Sequence, residues 1–277
     1  MAMTPILLRV MGAKLGRSPG STSDGMLLLL MAFFKDLFSA QSSDYARYRP
    51  RYPEALFDWL AGQTARKGLA VDLGCGSGQA SVALAGRFEF VIGVDPSQAQ
   101  LDNAAKHERL AYVCAPAEKT GLAGGGADLV TVAQAFHWFK RPEVYGEMKR
   151  LSHPGAVLAI WCYELTKVSP RVDAAIWKLY YDHLDTYWEP ERKLVEEGYK
   201  NVDLPFKELS VPKFPMREEW TLEQFRGYIS TWSPLKRFRM EKGFDPLEKV
   251  WPEVRQAWGD QEKQEIFWPL RVRAFEI

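Results

Sequence analysis

Val71-Asp72-Leu73-Gly74-Cys75-Gly76-Ser77-Gly78-Gln79 joins a short apolar run, Leu69 to Leu73, to a segment of small and apolar residues, Ala80 to Ala85. The first run has the length of a buried strand, and the second reads as a helix. Glycines at such a junction let the chain turn tightly and let a ligand come close to the main chain. The helix that follows offers free N–H groups in its first turn. A second apolar run, Phe90 to Val94, ends in Asp95, 19 residues after Gly76. A carboxylate at the tip of that strand can accept both hydrogen bonds of a ribose diol. Together these features predict an adenosine-containing ligand at the carboxyl ends of a doubly wound sheet. The spacing is G-x-G-x-G, with Gln79 where a dinucleotide fingerprint has its third glycine. Taken alone, the glycines also fit a tight strand-to-helix turn that binds nothing.

Outward from this loop, strands and helices alternate. A helix is predicted from Pro53 to Leu60, with proline in its first turn. Ser97 to His107 reads as a helix capped by Ser97. Strands are predicted at Leu110–Cys114, Asp128–Ala133 and Ala156–Cys162, with a helix from Pro142 to Leu151 before the last. Apolar strands separated by helices indicate βαβ units and a parallel sheet, hence an α/β fold. After residue 163 aromatic residues become dense, and eight of the ten tryptophans lie at or beyond Trp161. Arg171 to Leu184 has helical spacing. Phe206 to Trp220 carries Pro212 and Pro215 and is at best a broken or edge strand. Thr221 to Thr231 reads as a helix, Ile266 to Ile277 as a last strand, and residues 191–200 as a solvated helix face. The second half therefore reads as decoration on the sheet.

The chain has 277 residues, 36 Lys and Arg against 35 Asp and Glu, and 47% hydrophobic residues. That mix is globular, and the balanced charge argues against a nucleic-acid binder. Three scattered cysteines, Cys75, Cys114 and Cys162, form neither a disulfide framework nor a zinc pattern, which favours a cytoplasmic, reducing setting. The apolar run Met26 to Phe34 is too short to span a membrane. No small-residue cleavage site follows it. Residues 1–34 are expected to be a poorly ordered extension, with Met31 as a candidate functional start.

Further motifs carry a family resemblance. Asp72-Leu-Gly-Cys-Gly-Ser-Gly, Gly93-Val-Asp95-Pro96-Ser97, Ala115-Pro-Ala117-Glu118, Asp128 to Gln134 and Arg150-Leu-Ser-His-Pro-Gly155 follow one another as in class I S-adenosylmethionine (SAM)-dependent methyltransferases. The chain departs mildly in the last turn, where Ser-His replaces the usual Leu-Lys and only one glycine stands. Tyr45-Ala-Arg-Tyr-Arg49-Pro-Arg-Tyr-Pro53, His137-Trp-Phe139 and Tyr228-Ile-Ser-Thr-Trp232 resemble the trans-aconitate methyltransferase-like subgroup. The core resemblance covers roughly residues 40–165. It implies a Rossmann-like, mostly parallel seven-stranded sheet with lid insertions around strand six. Residues 35–165 would form the SAM-binding core with an arm over the cofactor, and residues 166–277 the lid and last strands. It further implies that Gly74, Cys75 and Gly76 pass the amino-acid part of SAM, with Asp72 orienting the loop. Asp95, followed by Pro96, would take the ribose, and Ala117 and Glu118 the adenine. Gln134 would lie near the methionine moiety, Arg49 would pair with the SAM carboxylate, and Tyr45 would cover the cofactor.

A sulfonium is already electrophilic, so the protein has mainly to align an acceptor and exclude water. No metal is needed, and the chain offers no convincing metal cluster. His137 is the candidate catalytic base for a hydroxyl or amine acceptor, and a packed or positioning histidine on the plainer reading. A carboxylate acceptor needs cations instead of a base. Arg49, Arg51, Lys140, Arg141, Lys236 and Arg237 are available. Trp177, Trp188 and Trp232 read as core first and pocket second. The expected activity is methyl transfer to a small molecule, with a carboxyl oxygen as the leading acceptor, without nucleic-acid or membrane partners, by a monomer or homodimer. The alternatives are methylation of a hydroxyl or carbon of an apolar metabolite, a non-catalytic SAM-binding protein, and a nicotinamide-dependent oxidoreductase.

Overall fold

The computed structural model describes residues 48–277. The expectations placed on residues 1–34 and on Tyr45 lie outside the described residues. Helix α1 (Glu54–Gln63) follows Pro53 and buries Leu56, Phe57, Leu60 and Ala61, the one-sided stripe of a helix laid on a sheet. Then come β1 (Leu69–Leu73), α2 (Gln79–Ala85), β2 (Phe90–Asp95), α3 (Gln98–Asp102), β3 (Leu110–Cys114), β4 (Ala127–Ala133), α4 (Arg141–Leu151) and β5 (Ser152–Tyr163). The chain continues through α5 (Pro170–Trp177), α6 (Arg192–Glu196), β6 (Lys207–Leu209), β7 (Met216–Thr221), α7 (Leu222–Ser230), α8 (Ser233–Lys242), α9 (Pro246–Trp258), β8 (Lys263–Trp268) and β9 (Leu270–Glu276).

Seven strands form one sheet in the order β3-β2-β1-β4-β5-β9-β6. β1 to β5 run parallel, and β9 joins β5 and β6 antiparallel. This is the doubly wound α/β sheet expected from the sequence. Strand periodicity sorts its side chains onto two faces. Leu69, Val71, Leu73, Ile92, Val94, Val130 and Val132 belong to one core, and Ala70, Val91, Leu129 and Trp161 to the other. The second core also holds Trp220, Tyr228, Trp232, Trp251 and Trp268, so the aromatic second half packs directly on the sheet. Where the order turns at β1 and β4, the strand ends leave a crevice for a ligand.

Three elements differ from the sequence reading, each for a local reason. The helix predicted over 97–107 stops at Asp102. Ser97 caps it as expected, but Ala105 N–H donates to the Ser77 carbonyl (3.1 Å) and Tyr112 donates to the Ala105 carbonyl (2.7 Å). Residues 103–107 are thus tied to the glycine loop instead of extending the helix. The single last strand is two strands. Pro269 lies between β8, which pairs with β7 in a separate ribbon, and β9 in the main sheet. A proline has no N–H to continue a ladder. The helix over 171–184 is α-helical only to Trp177, after which Lys178–His183 wind as a π-helix. Helices α8 and α9 escaped the sequence reading. α9 has a clear apolar stripe, Leu247, Val250, Trp251, Val254 and Trp258, but Pro252 within it reads as a breaker.

Candidate active site

The glycine loop lies at the carboxyl end of β1, and Gly74 and Cys75 N–H groups both donate to the Val94 carbonyl at the end of β2 (2.7 and 3.1 Å). Two of its glycines have different reasons to be glycine. Gly78 has φ 79°, and a Cβ there would fall on the Tyr112 hydroxyl, so packing forbids a side chain. Gly76 has φ 53°, but a Cβ there would meet nothing nearer than Gln100 Oε1 at 3.9 Å. Packing therefore leaves room over the main chain at Gly76. Gly74 rests against Ala135 and Phe139, which ties the loop to the segment after β4.

Asp95 is buried at the tip of β2. One carboxylate oxygen accepts Gly76 N–H and the other Ser97 N–H, each at 2.9 Å. Pro96 is half-buried between them. Asp72, fully buried beneath the loop, accepts Ser81 Oγ–H (2.6 Å) and Thr131 Oγ1–H (2.8 Å). Burial raises its pKa to about 6, with the two hydroxyls pulling it back and Asp95 adding to the rise. Asp72 thus braces β1, α2 and β4 from below. The Cys75 thiol is buried near Gly93, and burial pushes its pKa well up. Beyond β3, the Ala117 N–H meets no protein acceptor among the described residues, and Glu118 accepts the Lys140 N–H at 2.8 Å.

A cleft opens beside this loop, lined by Arg49, Gln134, His137, Trp138, Tyr163, Arg192, Trp188, Tyr228 and Trp232 among others. Gln134 closes its floor. Its side chain accepts Tyr163 N–H (2.8 Å) and donates to the Tyr163 carbonyl (3.4 Å), extending the β4–β5 ladder by a side chain. Gln134 holds φ 55° to do so, a conformation uncommon outside glycine. Arg49 donates to the Tyr163 hydroxyl (2.7 Å) and lies over the Tyr228 ring. His137, in a 3-10 turn over Phe136–Trp138, is buried with Nδ1 2.9 Å from the Tyr199 hydroxyl. Burial, and secondly the charge of Arg192, push its pKa down to about 3, so it is neutral at ordinary pH.

Arg192 is the residue that the sequence reading missed. Residues 191–200 are not a solvated face: Val195 and Tyr199 are buried, and Arg192 points into the cleft. Its Nε donates to the Tyr180 hydroxyl (3.0 Å), which donates on to Glu196 (2.5 Å), and its guanidinium lies 4.9 Å from the Trp188 ring centroid. No carboxylate comes within ion-pair distance of it among the described residues. The signal was weak, because one arginine among Glu-Arg-Lys-Leu-Val-Glu-Glu looks like any charged helix. The π-helical stretch that turns Tyr180 toward Arg192 has no simple sequence mark.

Residues 71–160 match the family model described as a methyltransferase domain. A Dictyostelium discoideum protein named as a methyltransferase is 36% identical over 245 residues, covering 86% of this chain and 93% of its own. A solved structure named as a type II methyltransferase from Anaeromyxobacter dehalogenans is 45% identical, covers 83% of this chain and 98% of its own, and superposes with a TM-score of 0.77. The chain is an S-adenosylmethionine-dependent methyltransferase. A Saccharomyces cerevisiae protein named as an S-adenosylmethionine-dependent methyltransferase is 25% identical, over 70% of this chain and 79% of its own.

The methyltransferase brings its sequence-predicted site residues to one edge of the sheet. Gly74, Cys75, Gly76, Asp95, Pro96, Ala117 and Glu118 follow the tips of β1, β2 and β3, and Arg49, Gln134 and His137 line the adjoining cleft. The residues fit SAM on two observations: the room over the Gly76 main chain, and the Ala117 N–H, which has no acceptor among the described residues. Of the cations read from the sequence, Arg51 is exposed, and Arg237 is occupied by Glu189. Trp188 and Trp232 line the cleft, whereas Trp177 is 55% exposed and belongs to neither core nor pocket. Among the described residues no helix is long and apolar enough to cross a membrane.

Proposed function

We propose that this methyltransferase esterifies a carboxylate of a small-molecule acceptor, as the resemblance to the trans-aconitate methyltransferase-like subgroup implies. The observation that carries the reading is Arg192, a guanidinium in the cleft with no carboxylate within ion-pair distance among the described residues and Glu196 reached only through the Tyr180 hydroxyl. Such a cation, half withdrawn from water, favours an anionic ligand. Trp138, Trp188, Tyr228 and Trp232 beside it favour an apolar or unsaturated body on the acceptor.

Bound SAM supplies an electrophilic methyl group. Asp95, with Pro96 after it, would hold the ribose, Ala117 N–H and Glu118 the adenine, and the main chain of Gly74, Cys75 and Gly76 the amino-acid part. Asp72 braces that loop from below, and on the family resemblance Gln134 would lie near the methionine moiety, Arg49 would take the SAM carboxylate, and Tyr45 would cover the cofactor. On this reading residues 35–165 serve the cofactor, residues 166–277 close over the acceptor, and residues 1–34 stand outside the reaction.

A carboxylic acid is ionised at neutral pH, so it has no proton to lose and needs no base. A hydroxyl or carbon acceptor would need one matched to the working pH. His137, held down to about 3, is a poor match. The test uses methyl-labelled SAM with a panel of small carboxylic acids, trans-aconitate included, beside phenols and hydroxylated isoprenoids. Label released as methanol by base is the expected result. A base-stable product overturns the carboxylate reading.

A further inference from the structure

His137 and Tyr199 are far apart in sequence and meet in the wall of the cleft. Tyr199 is 1% exposed and has φ 58°, a backbone state that is unfavourable for a bulky residue. The surrounding chain enforces it. Tyr199 N–H donates to the Leu194 carbonyl (2.9 Å), and the Tyr199 carbonyl accepts from Arg273 Nη1 (2.8 Å). What this bend delivers is a hydroxyl, set 2.9 Å from His137 Nδ1.

The direction of that hydrogen bond follows from counting protons. A phenol oxygen has one proton to give and two lone pairs to receive. The Tyr199 hydroxyl is buried and has no hydrogen-bond acceptor among the described residues besides His137 Nδ1, so an Nδ1–H donor would leave the phenol proton without an acceptor. Burial keeps the phenol proton in place. The proton therefore points to Nδ1, which accepts it. A neutral imidazole that accepts at Nδ1 carries its own proton at Nε2. Nε2 has no partner among the described residues, and His137 lines the cleft together with Gln134 and Arg192.

We propose that Tyr199 locks His137 in the Nε2–H tautomer, and that Nε2–H and Arg192 together form a donor pair that selects an anionic acceptor oxygen over a hydroxyl. The second half rests on the carboxylate reading above; the tautomer does not. A carboxylate has lone pairs for both donors and keeps others for attack. A hydroxyl acceptor would have to hand its proton to Nε2–H or to a guanidinium, and neither can take it. His137 is then a specificity-determining donor, and Tyr199 a positioning residue acting through it.

The test is a long-range proton–nitrogen spectrum of the full chain with labelled histidine, whose four side chains are assigned by single substitution. The expected His137 pattern is protonated at Nε2 and accepting at Nδ1, unchanged between about pH 5 and 8. An Nδ1–H pattern, or titration near pH 6.5, overturns the lock. Tyr199→Phe is expected to let the His137 pattern average or titrate. It should raise KM for a carboxylate acceptor about tenfold, one lost charge-assisted contact, with kcat and S-adenosylhomocysteine affinity within about twofold. A fall in kcat at unchanged KM overturns the selectivity role. If Tyr199→Phe fails to fold, the wild-type spectrum still decides the tautomer. An Nε2–H spectrum together with a base-stable product overturns the selection and the carboxylate reading while leaving the lock intact.

Discussion

The two ends of the β1–β4 pair treat polar groups in opposite ways. At the amino end, Asp128 is 3% exposed and fully engaged. It accepts Gly68 N–H (2.7 Å), Leu69 N–H (2.9 Å) and Arg66 Nε (3.0 Å), with His153 Nε2 at 2.8 Å. At the carboxyl end, Arg192 has no carboxylate within ion-pair distance and the Ala117 N–H no acceptor among the described residues, and the chain is bent into left-handed backbone at Gln134 and Tyr199. These are the two non-glycine residues with positive φ among the described ones. A fold that can satisfy a buried carboxylate with four partners at one end has not failed to do so at the other. Unmet polar groups and backbone strain gather where a ligand completes the structure.

The contrast breaks most visibly at Asp128. Asp128→Ala leaves two strand-end N–H groups and a histidine without their acceptor, and is expected to lower unfolding stability by about 3 kcal/mol. S-adenosylhomocysteine affinity should be unchanged at a temperature where the variant is folded. Denaturant unfolding and calorimetric binding on the same preparation read both quantities. A loss of binding without a loss of stability would erase the distinction between the two ends. Arg192→Leu should do the reverse. Its kcat/KM for a carboxylate acceptor is expected to fall by about 100-fold, near 2.7 kcal/mol, because an anion is left facing an apolar wall. Its melting temperature should move little, since a cleft arginine without an ion pair contributes packing on Trp188 and one hydrogen bond to Tyr180. A large drop in stability with normal turnover would make Arg192 a structural cation.

The same contrast separates what the sequence discloses from what it hides. The glycine-loop side is local: Gly74 to Gly78 and Asp95 are fixed by turn chemistry and strand length, and they lie at the strand tips where the pattern put them. The cleft wall is assembled from distant pieces. Arg192 gains its role from a π-helical stretch that carries Tyr180 to it, and Tyr199 from a strained turn held by Arg273, 74 residues further along the chain. Neither is a local property, so charge patterning gave the wrong answer for residues 191–200. Strand limits failed for a related reason. Pro269 is legible as a ladder break, but which sheet each half would join depends on β5 and β7 already being in place.

Asp72 lies between the two ends and tests which one it belongs to. It is buried like Asp128 yet lies under the glycine loop, with two hydroxyls as its partners. Burial raises its pKa from 3.8 to about 6, so the folded chain holds the Asp72 proton more tightly than the unfolded chain does. The sign is opposite to that of an ion-paired carboxylate. Stability from this group is present below about pH 4, falls as pH rises from about 4 to 6, and is level above that. Asp72→Asn removes the titration and keeps an amide that can serve both Ser81 and Thr131. Its stability at pH 7 should lie within about 1 kcal/mol of wild type. Between about pH 4 and 6 the variant should gain on wild type as pH rises. Thermal unfolding of both proteins across that range reads the effect, and parallel profiles would show that Asp72 titrates at its ordinary value. The variant's S-adenosylhomocysteine affinity then decides the assignment: unchanged binding groups Asp72 with Asp128 as a brace of the sheet, whereas weakened binding at an unchanged melting temperature makes the loop's placement its function.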